Sequence, residues 1–598
     1  MILQALKEYY DRKTADPESR MAPPGFEWKE IPFVIVLKPD GTPVNIEPTN
    51  ETGAKAYLVP QAVKKTINVE ANLLWDNPEY VLGVVLKGKK RSDKKTDDDI
   101  KKRVSEQHTS FIKRIDSIGD ISDAGLQAVR RFLQIENKIS LFQATSKQWI
   151  KLLDSGSNVT FKLAGDSGLV FERPAVKSAI QSANEESTEE IITCMVTGQK
   201  DHIQYVHPPI RRIFGGKAEA NIVSFNLGAF KSFGKDQGAN APVGKKAAFA
   251  YTTALNHLLA KGSTQRMQVG DASTVFWAEE ANDFEQQLAD FFDEPRKDEP
   301  DRCVRAVESL FRSIENGVFI TDKTEKNRFY VLGLSPNSSR IAIRFWIVNT
   351  IAEMGIKIYQ HFMDTEIVPP KNNKTDWPKW QSLNALLAAT ANETKYDKNK
   401  HSLVYYRGRY FNVKPNLAGD TMRVILEGLP YPQTLLQTTI RRIRAEHEIT
   451  YSRAALIKAC INRSTRFKNP NIKEELQMSL DENNTNIGYR LGRLFATLEK
   501  IQIRKFTQGG GKEPNSTIRD KYYGSASGTP ATVFGTLIRL SKHHLAGLEN
   551  VGERINFERL LGEIMGDICD FPPHLRLEDQ GRFAIGYYHQ MQDFFTKK

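Results

Sequence analysis

Hydrophobic and polar positions along this 598-residue chain follow two rhythms, one of period two and one near 3.6. In "EIPFVIVLKPDGTPVNIEP" two strand-like runs flank Pro39-Asp40-Gly41, a turn chemistry that predicts a β-hairpin. "ANLLWDNPEYVLGVVLKG" continues in extended segments. Apolar spacing becomes helical over 100–115 and again over 124–135, and residues 157–210 return to short strands. A helix fits 243–259. "STVFWAE" predicts a strand, and "AEEANDFEQQLADFFDEPRKDEPDR" an acidic helix with a connector. "RFYVLGLSP" and "RIAIRFWIV" predict an adjacent strand pair. Strict alternation in the second would point Ile341, Ile343, Phe345 and Ile347 one way, and Arg340, Ala342, Arg344 and Trp346 the other.

From Ala352 onward the pattern is almost wholly helical, with a short strand break near "VYYRGRYFNV". The polar, Asn-rich stretch "INRSTRFKNPNIKEELQMSLDENNTNIGYRLGRLF", interrupted by Pro470, predicts a linker. Roughly five helices follow, separated by "TQGGGKEPNST", "GSASGTP", "LENVGE" and "DFPPHLR", a spacing that predicts a compact bundle. The expected fold class is α+β. A mixed region with short antiparallel strands would occupy 1–350, a helical middle 351–470, and an all-α bundle 471–598.

Composition narrows the function classes. The chain is too long for one core, and 40% hydrophobic with 26% charged residues describes an ordinary folded protein. No run approaches the ~18 apolar residues of a membrane-spanning helix, and "MILQALKEYYDRK" lacks the features of a secretory signal. Cys194, Cys303, Cys460 and Cys569 stand far apart, which fits a reducing, cytoplasmic setting rather than a disulfide framework. The net charge of +12 predicts a polyanionic partner. With no basic amphipathic helix at the N-terminus, nucleic acid is favoured over a membrane.

Enzyme signatures are hard to assemble. "KDQGANAPVGKKAAFAY" places a glycine-rich turn before a helix, as a phosphate cradle would. Yet five residues separate Gly238 from Gly244 where a nucleotide P-loop has four, and Lys246 stands where the loop needs a hydroxyl for Mg²⁺. The glycine spacing of a dinucleotide fingerprint is also missing. "CMVTGQKDHIQYVH" has one Cys and two His, and a zinc site would normally add a second Cys nearby. His447-Glu448 lacks the second histidine of a metalloprotease helix. Neighbours His543 and His544 diverge by about 100° on a helix. The carboxylates of 279–301 fit a solvated face. No catalytic residue, metal site or cofactor is expected.

Nucleic-acid contact has better candidates. Residues 87–103 hold nine Lys/Arg against four Asp; Lys87, Lys89, Lys90, Arg91, Lys94 and Lys95 would meet phosphates without reading sequence. Residues 440–468 hold eight Lys/Arg against two Glu, with Arg441, Arg442 and Arg444 clustered on a helix and suited to phosphate. Solvated surface is the plain alternative for both, and for the second also a face turned to another subunit. Asn and Gln can pair with base edges, and two loops offer them beside lysines. One carries Lys64, Lys65, Asn72, Trp75 and Asn77; the other carries Gln237, Asn240, Lys245 and Lys246. An ordinary structural turn remains the alternative for each.

A resemblance covers most of the chain. "MILQALKEYYDRK", "PPGFEWKEIPFVIVLKPDG", "ANLLWDNPEYVLG", "SFNLGAFKSFGKDQGANAPVGKKAAFAYTTALNHLL", "VFWAE", "VLGLSPNSSRIAIRFW", "PYPQTLLQTTIRRIRAE" and "YRLGRLFATLEK…DKYYGSASGTPATVFGTLIRLSKHHL" occur in order from residue 1 to about 548. Together they resemble the large subunit of the type I-C CRISPR Cascade complex, the Csd family. The resemblance implies a non-catalytic subunit that recognises the protospacer-adjacent motif in double-stranded DNA, helps open the duplex and guides the displaced single strand. It implies partnership with CRISPR RNA, with the backbone and 5′-handle-binding subunits, and with a recruited helicase-nuclease that does the cutting. Guide pairing would supply sequence specificity. The motif-reading role would fall on Asn72 with its neighbours and on the 237–246 loop.

The C-terminal bundle resembles the small subunit of such complexes, which in this subtype can come from internal translation. Met478 is the candidate start, giving a 121-residue product. Lys473-Glu474-Glu475 could be encoded by a purine-rich ribosome-binding sequence just upstream. From Met478 on there are sixteen Lys/Arg against fourteen Asp/Glu, so DNA contact there would need a local face such as Arg490, Arg493 and Arg504, and docking of the bundle on neighbouring protein subunits is the equal alternative. Two other classes compete with the resemblance: a stand-alone metal-dependent nuclease and a free-standing DNA-binding regulator.

Overall fold

In the computed structural model the described residues are all of 1–598 except 17, 20, 50–53, 64, 66–68, 87–95, 137, 146–147, 186–189, 217–219, 293–301, 338–339, 372–376, 398–402, 567 and 597–598. The fold is α+β, with small sheets concentrated in the N-terminal half and helices in the C-terminal region. Two compact units emerge. One is built from Met1–Pro209 and Val223–His257, the other from Ile210–Ile222 and Leu258–Lys598. The junctions expected near 350 and 470 both fall inside the second unit.

In the first unit the expected hairpin forms: Phe33–Leu37 pairs antiparallel with Pro43–Pro48. Its tip needs Gly41, whose φ is +89° and whose added Cβ would lie 2.6 Å from the Arg131 Cβ. Strand Val159–Leu163 joins Phe33–Leu37 in parallel, a departure from the purely antiparallel expectation. The crossover between them carries helices Asp97–Asp116 and Ala124–Gln134, and a parallel pair requires such a long connection. All five residues of Phe33–Leu37 are buried, as befits an interior strand. Phe111, Phe132, Phe142, Trp149 and Phe161 fill the core beside them.

Two local expectations shift here. "ANLLWDNPEYVLG" supplies only Trp75–Asp76 to the sheet, as its edge strand. The Asn77 side chain then accepts from the Glu79 N–H and Pro78 takes the first helical position, so a one-turn helix, Pro78–Val81, replaces extended chain. Within 157–210 a helix, Pro174–Glu185, interrupts the strands, with Val176 and Ile180 buried one turn apart.

The second unit begins with a four-stranded antiparallel sheet in the order Arg340–Thr350, Arg328–Asn337, Ala272–Ala278, Arg266–Val269. Its register shifts at Gly333/Leu334, where Gly333 faces Phe345 but Leu334 faces Ile343. The extra residue, Arg344, flips the phase of alternation. Phe345 and Ile347 are buried while Ile343 is 45% exposed, which corrects the single uninterrupted face expected for this strand. Arg344 itself reaches Asp271 at 2.6 Å. The strand break in the helical region is a three-stranded sheet ordered Asn392–Thr394, Arg409–Asn412, Leu403–Tyr406.

Among the described residues five α-helices make the C-terminal bundle: Ile487–Thr507, Ile518–Gly528, Phe534–Ala546, Val551–Met565 and Leu577–Asp593; the first begins inside the stretch expected as a linker, whose other end lies in helix Tyr451–Lys468. The first and last approach unusually closely. A Cβ on Gly492 would stand 2.0 Å from the Phe583 carbonyl oxygen, and one on Gly586 2.0 Å from that of Tyr489. The segment expected as a linker is pinned in place. The Asn462 Oδ1 accepts from the Leu476 N–H at 2.8 Å, the Asn462 Nδ2 donates to the Leu476 carbonyl at 2.8 Å, and Leu476 is fully buried. A single apolar cluster therefore runs from Met267 to Tyr588.

Candidate nucleic-acid interface

The residues singled out near 64–77 converge, but around a buried carboxylate. Asp76 accepts from the Lys65 ammonium at 2.6 Å, from the Asn72 N–H at 2.9 Å and from the Asn77 N–H at 2.8 Å. The Lys65 ammonium also sits 3.7 Å from the centroid of the Tyr80 ring. Asn72 is 5% exposed, and its side-chain oxygen accepts from the Val63 N–H. Trp75 is buried and its indole N–H donates to the Pro60 carbonyl. Asn77 caps its short helix. The structure thus gathers Lys65, Asn72, Trp75 and Asn77 into an inward-facing knot. Lys64, and the phosphate candidates Lys87, Lys89, Lys90, Arg91, Lys94 and Lys95, lie outside the described residues.

The 237–246 loop is different. It leads into helix Lys245–Leu258, whose first turn already meets a protein carboxylate. The Asp201 carboxylate accepts from the Lys246 N–H at 2.9 Å, and it stands so near that a Cβ on Gly244 would lie 2.3 Å from it. The Cys194 sulfur lies there too. Burial raises its pKa, but N–H groups of Gly244, Thr197 and Val196 and the Thr197 hydroxyl outweigh that and hold the thiol below its usual range. An acidic side chain therefore sits at the helix start and accepts one of its N–H groups. Gly238 is equally specific: its N–H donates to the Tyr205 carbonyl, and a Cβ there would come within 2.4 Å of the Gln204 carbonyl oxygen.

What the loop offers to solvent lies just upstream. Residues 226–237 form an unbroken exposed run. Asn240 organises it from within. Its Oδ1 accepts from the Ser232 N–H at 2.9 Å, and its Nδ2 donates to the Lys235 and Gln237 carbonyls at 3.1 and 2.9 Å. Gln237 is exposed with φ +43°, Lys246 is exposed and Lys245 partly so. Phe233 is not among the residues that the sequence patterns single out, yet it is 96% exposed. A signal was present, since "GAFKSFGK" interleaves aromatic and lysine residues.

The arginines of the second unit divide sharply. Arg441 is exposed. Arg442 pairs with Glu446, and Arg444 donates to the Gly524 carbonyl at 2.8 Å. Arg490 and Arg493 are buried. Arg490 donates to the Asn484 carbonyl, and Arg493 to the Gln590 side chain and the Glu482 carbonyl. Arg504 is bound by Glu553 through both carboxylate oxygens. Met478 is 47% exposed, and its carbonyl accepts from the Val368 N–H. Among the described residues no group of three or more His, Cys, Asp or Glu side chains is placed to hold a metal ion, and no helix is long and apolar enough to cross a membrane.

These features describe a large α+β protein that carries exposed lysines and an exposed aromatic ring on one ordered loop. The chain belongs to the CRISPR-associated protein family Cas_Csd1, which matches it over residues 6–595. Among curated proteins there is no match.

Proposed function

We propose that this chain is the non-catalytic large subunit of a type I-C RNA-guided surveillance complex, recognising the protospacer-adjacent motif in double-stranded DNA and helping to open and hold the R-loop. Its partners in this reading are CRISPR RNA with the backbone and 5′-handle-binding subunits, small subunits made from its own C-terminal region, and a helicase-nuclease recruited to the opened target. Family membership over nearly the whole chain supports the CRISPR setting. The observation that carries the DNA-contact reading is the ordered, exposed run 226–237 with its lysines. Among the candidate amides, Asn72 and Asn240 are engaged within the fold, whereas Gln237 faces solvent; Gln237 is therefore the motif-reading candidate.

The test is a binding assay with reconstituted complex on duplexes that differ only in the flanking motif. Gln237→Ala should erase most of the preference at one base pair, roughly 5- to 100-fold, while leaving affinity for motif-free duplex nearly unchanged. Intact discrimination in Gln237→Ala would remove the assignment. Robust cleavage by the purified chain alone with Mg²⁺ or Mn²⁺ would favour the nuclease alternative instead.

A small subunit starting at Met478 would lack helix Tyr451–Lys468, against which Leu577–Asp593 packs. Gly581 faces Ile457 and Ile461 there, and Arg582 would lose Glu475. Such a product must rebuild that face against another subunit. Met478→Leu should abolish a small C-terminal product in cell extracts; its persistence would locate the start elsewhere.

A further inference from the structure

Phe233 presents 96% of its surface to solvent, more than any other large apolar side chain among the described residues. That exposure does nothing for the packing of the chain, and the burial of such a side chain would ordinarily stabilise it. Its backbone is unusual as well. Phe233 has φ +51° and Gly234 φ +67°, so two consecutive residues sit in the left-handed region, which a bulky side chain rarely enters. Strain of this kind persists only where the surroundings impose it. Here the Asn240 carboxamide imposes it through its three hydrogen bonds to 232, 235 and 237, and the Lys231–Asp236 ion pair closes the base of the turn.

The chemistry around the ring points to one kind of partner. Residues 223–246 hold four lysines, Lys231, Lys235, Lys245 and Lys246, against one acidic residue, Asp236. Lys235 and Lys246 are exposed beside the loop. An ordered aromatic tip among lysines is the pairing that unpaired nucleic acid requires: a flat face for a base and positive charge for its phosphates. Leu227 (50%) and Phe230 (36%) are exposed in the same run, but the ring at the tip stands among lysines, whereas the centre of a protein-docking patch is depleted of charge.

We propose that Phe233 is a base-stacking residue, held out by the Asn240-stapled turn to stack on an unpaired nucleobase of opened DNA. This rests on the nucleic-acid reading above and adds the residue, the contact and the strand state that it recognises. The loop would place lysines on the phosphates and the phenyl ring on a base, favouring single-stranded over fully paired DNA.

The test uses the full-length protein, its Phe233→Ala and Phe233→Trp variants, and three labelled probes: an oligothymidine strand, an abasic strand of the same phosphate number, and a blunt duplex of the same length. Phe233→Ala should bind oligothymidine roughly 5- to 100-fold more weakly. It should bind the abasic strand as the unchanged protein does, and Phe233→Trp should retain oligothymidine affinity. Equal affinity of Phe233→Ala and the unchanged protein for oligothymidine overturns the proposal while leaving DNA contact standing. An equal loss on the abasic strand also overturns it, because the contact would then be to phosphate. Loss of a co-purifying protein subunit with DNA binding intact would make the tip a protein contact, again overturning it. Failure of the unchanged protein to bind any probe counts instead against the nucleic-acid reading itself.

Discussion

The second unit and the 226–237 loop of the first use cationic side chains for opposite ends. In the second unit, many cationic side chains turn inward. Asp364 is buried and accepts from Arg463 and from Arg466, each at 2.8 Å, while Arg490 and Arg493 hold carbonyls and an amide inside the C-terminal bundle. In the first unit, residues 226–237 keep their lysines outside and are ordered largely by one asparagine and the backbone. A buried charge must be paired because desolvating it alone is costly, so the inward arginines are fixed by the fold. Exposed lysines carry little stability and remain available to a partner. Charge density along a sequence therefore does not locate an interface; the solvation of each charge does.

Breaking that contrast gives a graded series. The largest effect should come from Asp364→Ala, which strands two arginines, one of them buried: a loss of ~3–5 kcal/mol in chemical denaturation of the full chain. A loss under about 1 kcal/mol would mean the pair is solvated.

The next effect is in pH. His207 is buried, its Nδ1 lies 2.6 Å from the Tyr251 hydroxyl, and burial holds its pKa down at about 4. The unfolded chain takes up this proton near pH 6.5 and the folded chain only near 4. Stability is therefore full above pH 6.5 and falls as pH drops between those values, by up to about 3 kcal/mol for this group. His207→Phe should flatten that part of the pH–stability curve, and an unaltered slope would contradict the assignment.

Gly586→Ala should come third. It pushes a methyl group into the Tyr489 carbonyl and should cost ~1–3 kcal/mol, read as a lower denaturation midpoint in the second unit. The smallest stability effect belongs to Lys235→Ala and Lys246→Ala, within about 0.5 kcal/mol. Each should still reduce the salt dependence of DNA binding, by roughly 0.7 to 0.9 in the log–log slope for every phosphate that is no longer neutralised. An unchanged slope in both would sharpen the contrast the other way, leaving the aromatic tip as the loop's main contact.

Much of the element plan was legible because it depends on neighbours in sequence. Pro39-Asp40-Gly41 forecasts its hairpin, the period of 124–135 its helix, and the glycine- and proline-bearing breaks the five helices of the C-terminal bundle. The misses lie where a single residue changes phase or start. Arg344 bulges a strand and turns Ile343 outward, and Pro78 begins a helix in what looked extended. The parallel pairing of Phe33–Leu37 with Val159–Leu163 carries no local mark, because its partners are far apart in sequence.

For the interface, the chain by itself determined the inventory: a net positive charge, a loop of glycines, amides and lysines, and a match to one family across almost its whole length. Local chemistry suffices for that, since turn residues and charge are properties of short segments. Only the tertiary structure decided which groups are engaged within the fold. It put the Asp201 carboxylate at the start of helix Lys245–Leu258, buried Asn72 and Trp75 around Asp76, and left Phe233 and Gln237 in solvent. Those outcomes depend on desolvation and on hydrogen bonds between residues distant in sequence, such as Asp201 with Lys246, and no segment carries them alone.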